Sequence, residues 1–201
     1  MISHYIKVVQ VIYARLLRRI YIPKKEKGKV RPLSIPAMHC RGQQALHLLA
    51  LEPVSEMLAD RNSYGFRPLR STHDAIGQCF LALCQKTSAQ YILEADIKSC
   101  FDNISHPWLL KNVPMDKVML QKWLSAGYIE QGEIHSTTLG TPQGGLCSPT
   151  LLVVTLSGLE EAVKKAAPRR EDKINVCVYA DDFIITGATK EVLEEKIVSF
   201  R

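Results

Sequence analysis

The chain has 201 residues, 46% of them hydrophobic and 23% charged, which is ordinary for a globular protein with one sizeable core or two small lobes. No apolar run approaches the ~18 residues that a membrane span needs, and residues 8–14 precede their arginines, which argues against a signal peptide. We therefore expect an intracellular protein without membrane attachment. Six cysteines without any C-x-x-C pair argue against a zinc site or a disulfide framework.

The net charge of +6 is unevenly distributed along the chain. Residues 7–31 hold nine Lys or Arg and only Glu26 as an acid, a local net charge of +8, whereas the rest of the chain sums to −2. A basic head on a nearly neutral body indicates a polyanionic partner. A solvated amphipathic helix explains the same charges equally well.

The first 90 residues predict helices around one hairpin. Residues 3–19 have the pattern of an amphipathic helix, and residues 21–36 predict a β-hairpin with Lys27-Gly28-Lys29 at its tip. Residues 41–60 follow a helical period that Pro53 would divide if it interrupts the helix. Ser71 and Asp74 resemble a capping box, which predicts a helix running to about Lys86.

The remaining residues mix strands with helices. Strands are predicted at residues 91–97, 133–141, 174–179 and 183–186. Helices are predicted at residues 105–113, 116–127 and 148–166, and from Lys190 onward. This order, neither strictly alternating nor all helical, predicts an α+β fold with a small antiparallel sheet packed on helices.

Two adjacent carboxylates, Asp181 and Asp182, join the last two apolar strands. Asp is a common turn residue, so a plain hairpin is one interpretation. A two-residue turn prefers Asn-Gly or Asp-Gly, however, and like charges beside a buried sheet cost free energy unless a cation neutralises them. From this pair alone, a turn and a metal site are equally well supported.

Asp96 favours the metal site. It ends another apolar strand, and three carboxylates would converge at one end of the sheet if that strand lay beside the Asp181-Asp182 hairpin. Oxygen ligands of this kind suit Mg²⁺, with Mn²⁺ as an alternative, and two such ions can activate a 3′-hydroxyl and stabilise leaving pyrophosphate.

Several sequence blocks resemble, in order, those of group II intron-type reverse transcriptases. The carboxylate pair lies in Tyr179-Ala180-Asp181-Asp182-Phe183, which is similar to the catalytic box of that family. The other matching blocks are Tyr21-Ile22-Pro23-Lys24-Lys25 with Arg31-Pro32-Leu33-Ser34-Ile35-Pro36, Ser63-Tyr64-Gly65-Phe66-Arg67-Pro68 with Ser71-Thr72-His73-Asp74-Ala75, residues 96–102, and Gly140-Thr141-Pro142-Gln143-Gly144-Gly145 with Ser148-Pro149. The resemblance spans about residues 21–200.

The resemblance implies a right-hand polymerase fold with fingers at residues 1–90 and palm at residues 91–201. It implies Asp96, Asp181, Asp182 and the Ile97 carbonyl as metal ligands. Nucleotide-binding roles would fall on Lys29, Arg31, Ile97, Ser99, Cys100, Phe101 and Gln143, with Phe101 packing under the sugar. Template RNA would contact Lys24, Lys25 and Arg67, although an arginine that holds its own loop explains Arg67 equally well.

The implied activity is RNA-directed DNA synthesis from an RNA template, a DNA primer and deoxynucleoside triphosphates, in a cytoplasmic or nucleoid-associated bacterial protein that also binds intron RNA for splicing. The alternatives are an RNA-binding maturase module without polymerase activity, or a reverse transcriptase of the retron, diversity-generating or CRISPR-associated type. Cys100 replaces a usual Phe, and residues 151–156 lack a usual Asn. We expect the chain to be a fragment without a thumb.

Overall fold

The computed structural model describes residues 14–25 and 28–198. Its strands are β1 (Leu17–Pro23), β2 (Val30–Ile35), β3 (Tyr91–Asp96), β4 (Tyr128–Glu130), β5 (Glu133–His135), β6 (Val176–Tyr179) and β7 (Asp182–Gly187). Its helices are α1 (Met38–Leu58), α2 (Thr72–Leu83), α3 (Cys100–Asn103), α4 (His106–Asn112), α5 (Lys117–Leu124), α6 (Ser148–Leu156) and α7 (Leu159–Ala166), with a 3₁₀ turn (Arg170–Asp172) and a π-helical segment (Val192–Val198). The predicted α+β class is confirmed.

The described residues form two compact units. The first unit comprises Met1–Pro53 and Ser99–Leu151, and the second comprises Val54–Lys98 and Leu152–Arg201. The division into fingers and palm stays a prediction. None of the helices in the described ranges is long and apolar enough to cross a membrane.

The first unit contains a four-stranded sheet in the order β2-β1-β4-β5. The predicted hairpin is confirmed: β1 pairs antiparallel with β2, Ile22 lies opposite Arg31, and the Lys24 N–H donates to the Lys29 carbonyl at 2.9 Å. The helix predicted for residues 3–19 lies mostly outside the described residues. Its last residues, from Leu17, are a strand instead, because β1 gains backbone hydrogen bonds from β2 and β4 on both sides.

The second unit is built on a three-stranded antiparallel sheet in the order β3-β7-β6. Its core contains Val163 and Ala167 of the α7 region, Val176 of β6, Ile185 of β7 and Leu193 of the π-helical segment, all buried. The predicted capping box is present at the start of α2, where Ser71 and Asp74 exchange side-chain and backbone hydrogen bonds.

Three predicted elements differ from the structure. The helix predicted for residues 148–166 is interrupted at Gly158, whose φ of 91° ends α6, and the Asp60 carboxylate accepts from the backbone N–H groups of Gly158 and Glu160, both at 2.9 Å. The strand predicted for residues 133–141 is only Glu133–His135, and its partner β4 was not predicted. Pro53 does not divide α1, which continues through it.

Candidate active site

The turn between β6 and β7 carries the carboxylate pair. Tyr179 pairs with Asp182, so the two turn residues are Ala180 and Asp181, and Asp182 is the first residue of β7. This corrects the expectation that Ala180, Asp181 and Asp182 would all lie between strands ending at residue 179 and beginning at residue 183. Ala180 has a φ of 60°, a left-handed conformation that an alanine adopts at a cost of about 1–2 kcal/mol. A positive φ at the first turn residue is the pattern of the type II′ hairpin turn.

The third carboxylate reaches the same end of the sheet through strand register. β3 pairs antiparallel with β7, and Asp96, the last residue of β3, lies directly opposite Asp182. The Ile97 N–H donates to the Asp181 carbonyl at 3.1 Å, which ties the chain after β3 to the turn. Strand register therefore brings Asp96, Asp181 and Asp182 to the same end of the sheet, and their role as metal ligands stays a prediction.

The electrostatics of this end of the sheet favour a bound cation. Asp182 is exposed, but partial desolvation, followed by the negative charges of Asp181, Asp96 and Glu94, raises its pKa above the ordinary value. Each cause is a penalty on the ionised form, and a nearby cation would offset it.

The carboxylates fit a metal ion that takes its remaining ligands from water and substrate. Within residues 14–25 and 28–198, no three His, Cys, Asp or Glu side chains are arranged to hold a metal by themselves. Mg²⁺ commonly binds through one or two protein carboxylates and completes its shell with waters and substrate phosphates. Asp96 and Asp182, paired across two strands in a region of excess negative charge, match this way of binding Mg²⁺.

The predicted nucleotide-binding residues other than Ile97 belong to the first unit. The Gln143 carbonyl accepts from the Ser34 N–H at 2.7 Å. Gly144 has a φ of 113°, and a Cβ added there would lie only 2.9 Å from the Ser34 carbonyl oxygen, so the loop packs too closely against β2 for a side chain. Gln143 is thereby fixed beside β2, the strand that bears the exposed Arg31.

Ser99, Cys100 and Phe101 form a second part of the first unit. Ser99 has a φ of 51° and precedes α3, in which Cys100 is buried and Phe101 is half-buried. The Phe101 carbonyl accepts from the Thr141 N–H at 2.7 Å. Phe101 and Gln143 thus lie on two segments that are directly hydrogen-bonded near Thr141.

The predicted template-binding residues differ in exposure. Lys24 and Lys25 are exposed on the β1–β2 hairpin, where a polyanion can reach them. Arg67 is buried, and its guanidinium donates to the Glu56 carboxylate at 2.8 Å and to the carbonyls of Asp60 and Ser63. The geometry favours the loop-holding interpretation of Arg67 over a contact with template phosphate.

Comparison with known proteins identifies the family. The sequence model described as reverse transcriptase (RNA-dependent DNA polymerase) matches residues 22–201. The chain belongs to the reverse transcriptase family. Similar proteins include the group II intron-encoded protein LtrA of Lactococcus lactis, 38% identical over 75% of this chain and 26% of its own length. Protein YkfC of Escherichia coli K12 is 33% identical over 89% of this chain and 57% of its own length. The putative COX1/OXI3 intron 2 protein of Saccharomyces cerevisiae is 34% identical over 91% of this chain and 22% of its own length.

These relatives confirm the resemblance to reverse transcriptases of the group II intron type. The chain spans 57% of the length of the E. coli relative and about a quarter of the Lactococcus one. Among solved structures, apo telomerase of Candida tropicalis, truncated from its C-terminal domain, aligns with a TM-score of 0.59 and 18% identity over 98% of this chain and 50% of its own. That likeness supports the polymerase fold. Reverse transcriptases in general depend on divalent metal ions.

One acidic residue near the carboxylate pair was not predicted from the sequence. Glu94 contributes to the raised pKa of Asp182. It precedes Asp96 by two residues on β3, and alternate residues of a strand share a face. The two-residue spacing from Asp96 could therefore have identified Glu94 from the sequence.

Proposed function

We propose that the chain is part of an RNA-directed DNA polymerase of the group II intron-encoded type. The observation that carries the proposal is the register of β3 against β7, which sets Asp96 opposite Asp182 beside the Asp181 turn. Carboxylates at the ends of adjacent strands are poorly explained by stability, because like charges placed opposite each other destabilise a ladder. Their requirement for a metal ion explains why they lie together.

We assign two Mg²⁺ ions, or Mn²⁺ in their place, to Asp96, Asp181, Asp182 and the Ile97 carbonyl. When bound, the ions would supply activation of the primer 3′-hydroxyl and stabilisation of the leaving pyrophosphate. The three carboxylates hold negative charge at a fixed place, and the extra charge of Glu94 increases the local attraction for cations.

The first unit would bind the substrates. Lys29 and Arg31, exposed on the hairpin, would grip the triphosphate of the incoming nucleotide, Arg31 through a bidentate contact. Phe101 would pack under the deoxyribose, and Gln143 would hold the nucleotide from the neighbouring loop. Lys24 and Lys25 would contact template RNA, and intron RNA would be a further partner of the full-length protein.

The test is primer extension on an RNA template by the full-length protein, with one deoxynucleotide at a time and with Mg²⁺ or Mn²⁺. Asp96→Asn, Asp181→Asn and Asp182→Asn are each expected to lower the extension rate by at least about 100-fold, comparable to the loss of one strong electrostatic contact in a transition state. The matched control is Glu171→Gln, an exposed acid of the 3₁₀ turn, which should leave the rate unchanged.

Two outcomes would contradict the proposal. Retained extension in all three Asn variants would remove the carboxylates from catalysis. Tight binding of RNA with no metal-dependent extension by the wild-type protein would favour the alternative of an RNA-binding maturase module.

A further inference from the structure

A short segment of the second unit lies along β6 and ends beneath the carboxylate turn. Residues 62–65, here the 62–65 segment, run parallel to β6, with a bridge between Ser63 and Val178. The Tyr64 N–H donates to the Val178 carbonyl at 2.9 Å, and the Val178 N–H donates to the Asn62 carbonyl at the same distance. The segment thus acts as a short extra strand on the outer edge of β6.

Gly65 touches the backbone of the turn itself. A Cβ added to Gly65 would lie 2.1 Å from the nitrogen, 2.7 Å from the Cα and 2.9 Å from the Cβ of Ala180. The atoms in the way are mostly backbone, so no rotation of a side chain can relieve the overlap. Only a glycine lets the segment approach Ala180 this closely.

The contact falls on a strained residue. Ala180 holds a left-handed φ of 60°, and such a conformation persists only where the surroundings enforce it. Asp181 follows immediately and Asp182 begins β7, so a movement of Ala180 would redirect both carboxylates. The close approach of Gly65 is one of the constraints on that movement.

The 62–65 segment is itself held firmly. Arg67 donates to the carbonyls of Asp60 and Ser63 and to the Glu56 carboxylate. The Asn62 side-chain amide donates to the Glu160 carboxylate at 3.0 Å. Because these bonds connect the segment to α1 and α7, the position of Gly65 against the turn is fixed.

We propose that Gly65 is a positioning residue for the metal-binding carboxylates, acting through Ala180. The bare Cα of Gly65 sets the place of the turn and, through it, the direction of Asp181 and Asp182. This inference rests on the proposed function, because it takes the carboxylates to be metal ligands. It assigns to the Ser63-Tyr64-Gly65 block a role in metal affinity and not in template contact.

The test compares Mn²⁺ binding to Gly65→Ala and Gly77→Ala in the 201-residue chain, by titration calorimetry at a temperature where circular dichroism shows both variants folded. Gly77 lies in α2 of the same unit, and a Cβ there meets nothing within 4 Å. We expect Gly65→Ala to weaken Mn²⁺ binding by about 10–100-fold, the usual effect of disturbing the groups that orient metal ligands, and Gly77→Ala to bind as wild type does. If Gly65 has only a structural role, Gly65→Ala would lower the melting temperature without weakening Mn²⁺ binding.

Wild-type-like Mn²⁺ affinity in folded Gly65→Ala would overturn the inference. If Gly65→Ala does not fold, Asn62→Ala decides, since it removes the anchoring bond to Glu160 without inserting an atom near the turn. A loss of at least about threefold in Mn²⁺ affinity supports the inference, and an unchanged affinity overturns it. Asp182→Asn separates this inference from the proposed function. If Asp182→Asn does not weaken Mn²⁺ binding, the proposed function fails. If Asp182→Asn weakens Mn²⁺ binding and Gly65→Ala does not, only the role of Gly65 fails.

Discussion

Replacing Asp182 by Asn is expected to stabilise the metal-free chain. Asp182 faces Asp96 across the β3–β7 ladder and follows Asp181 in sequence. Like charges directly opposite each other in an antiparallel pair destabilise by roughly 0.2–1 kcal/mol, and because Asp182 is exposed, solvent screening keeps the effect within that range. We expect the free energy of unfolding to rise by about 0.5–1 kcal/mol, which raises Tm by roughly 1–4 °C in a chain of this size.

Metal should reverse the order of stability. At a free Mg²⁺ concentration 100-fold above Kd, binding stabilises the wild-type chain by about 2.7 kcal/mol. If Asp182→Asn weakens binding about tenfold, the gain at the same concentration falls to about 1.4 kcal/mol. The variant would then melt above the wild type without metal and close to or below it with metal.

The assay is a pair of thermal melts, with EDTA and with Mg²⁺, repeated in about 1 M salt. High salt screens the repulsion and should shrink the advantage of the metal-free variant. Because the folded-state pKa of Asp182 is raised, the wild type should also lose stability as pH rises from the ordinary carboxyl value through the raised one, and the Asn variant should lack that part of the pH dependence. The reasoning would be refuted if the Asn variant melted at a lower temperature than the wild type in EDTA. It would also be refuted if Mg²⁺ raised the Tm of the variant as much as that of the wild type.

Three further predictions concern other residues. Phe101→Val in the full-length enzyme should raise ribonucleotide relative to deoxyribonucleotide incorporation by about tenfold or more in single-nucleotide extension, because the ring would no longer exclude the 2′-hydroxyl. Glu56→Gln should lower the free energy of unfolding at pH 7 by about 1–3 kcal/mol in urea melts, since it breaks the ionic contact to buried Arg67. Arg67 lowers the pKa of Glu56, so the wild type should lose this advantage as pH falls below the ordinary Glu value and through the folded-state pKa. Lys24→Ala and Lys25→Ala should each reduce the salt dependence of RNA binding by about one unit of slope in log Kd against log salt.

Each of these predictions has a matched control and a contrary result. Phe80→Val removes an exposed aromatic ring of α2, and an unchanged ribose selectivity in Phe101→Val would make Phe101 a packing residue. Glu161→Gln breaks an exposed pair with Lys165 and should lower the free energy of unfolding far less than Glu56→Gln does. Equal losses in the two variants would remove the case for Arg67 as a loop clamp. Lys111→Ala, on exposed α4, should leave the salt slope unchanged, and slopes unaltered in the hairpin variants would exclude those residues from phosphate contact.

Features with a local cause were predictable from the sequence. The capping box of α2 depends on Ser71 and Asp74, three residues apart, and the β1–β2 hairpin on adjacent strands around one turn. The convergence of Asp96 with Asp182 was predictable for a different reason. Asp96 is the last residue of one apolar strand and Asp182 the first residue of another, and antiparallel pairing brings those two ends to the same edge of the sheet.

Features with a distant cause were not predictable. The break at Gly158 is capped by Asp60, 98 residues earlier in the chain, and a helical period through residues 148–166 contains no trace of that partner. β4 is only three residues long and gains its pairing from β1. The start of β7 was predicted one residue too late, because Asp182 is charged and only the pairing with Tyr179 and Asp96 shows that it belongs to the strand.

The side chains at the carboxylate end of the β3-β7-β6 sheet repel one another, so backbone contacts must hold this end in place. Acids face each other there, whereas the apolar core with Val176 and Ile185 lies farther along the strands. Metal-free protein must nevertheless keep the turn in place, or each binding event would include the cost of ordering it. The bonds between the 62–65 segment and Val178, one residue before the end of β6, supply support from outside the acidic ladder. A charged site can therefore stay ordered without a cation because its geometry is fixed by a neighbouring backbone and not by the charges themselves.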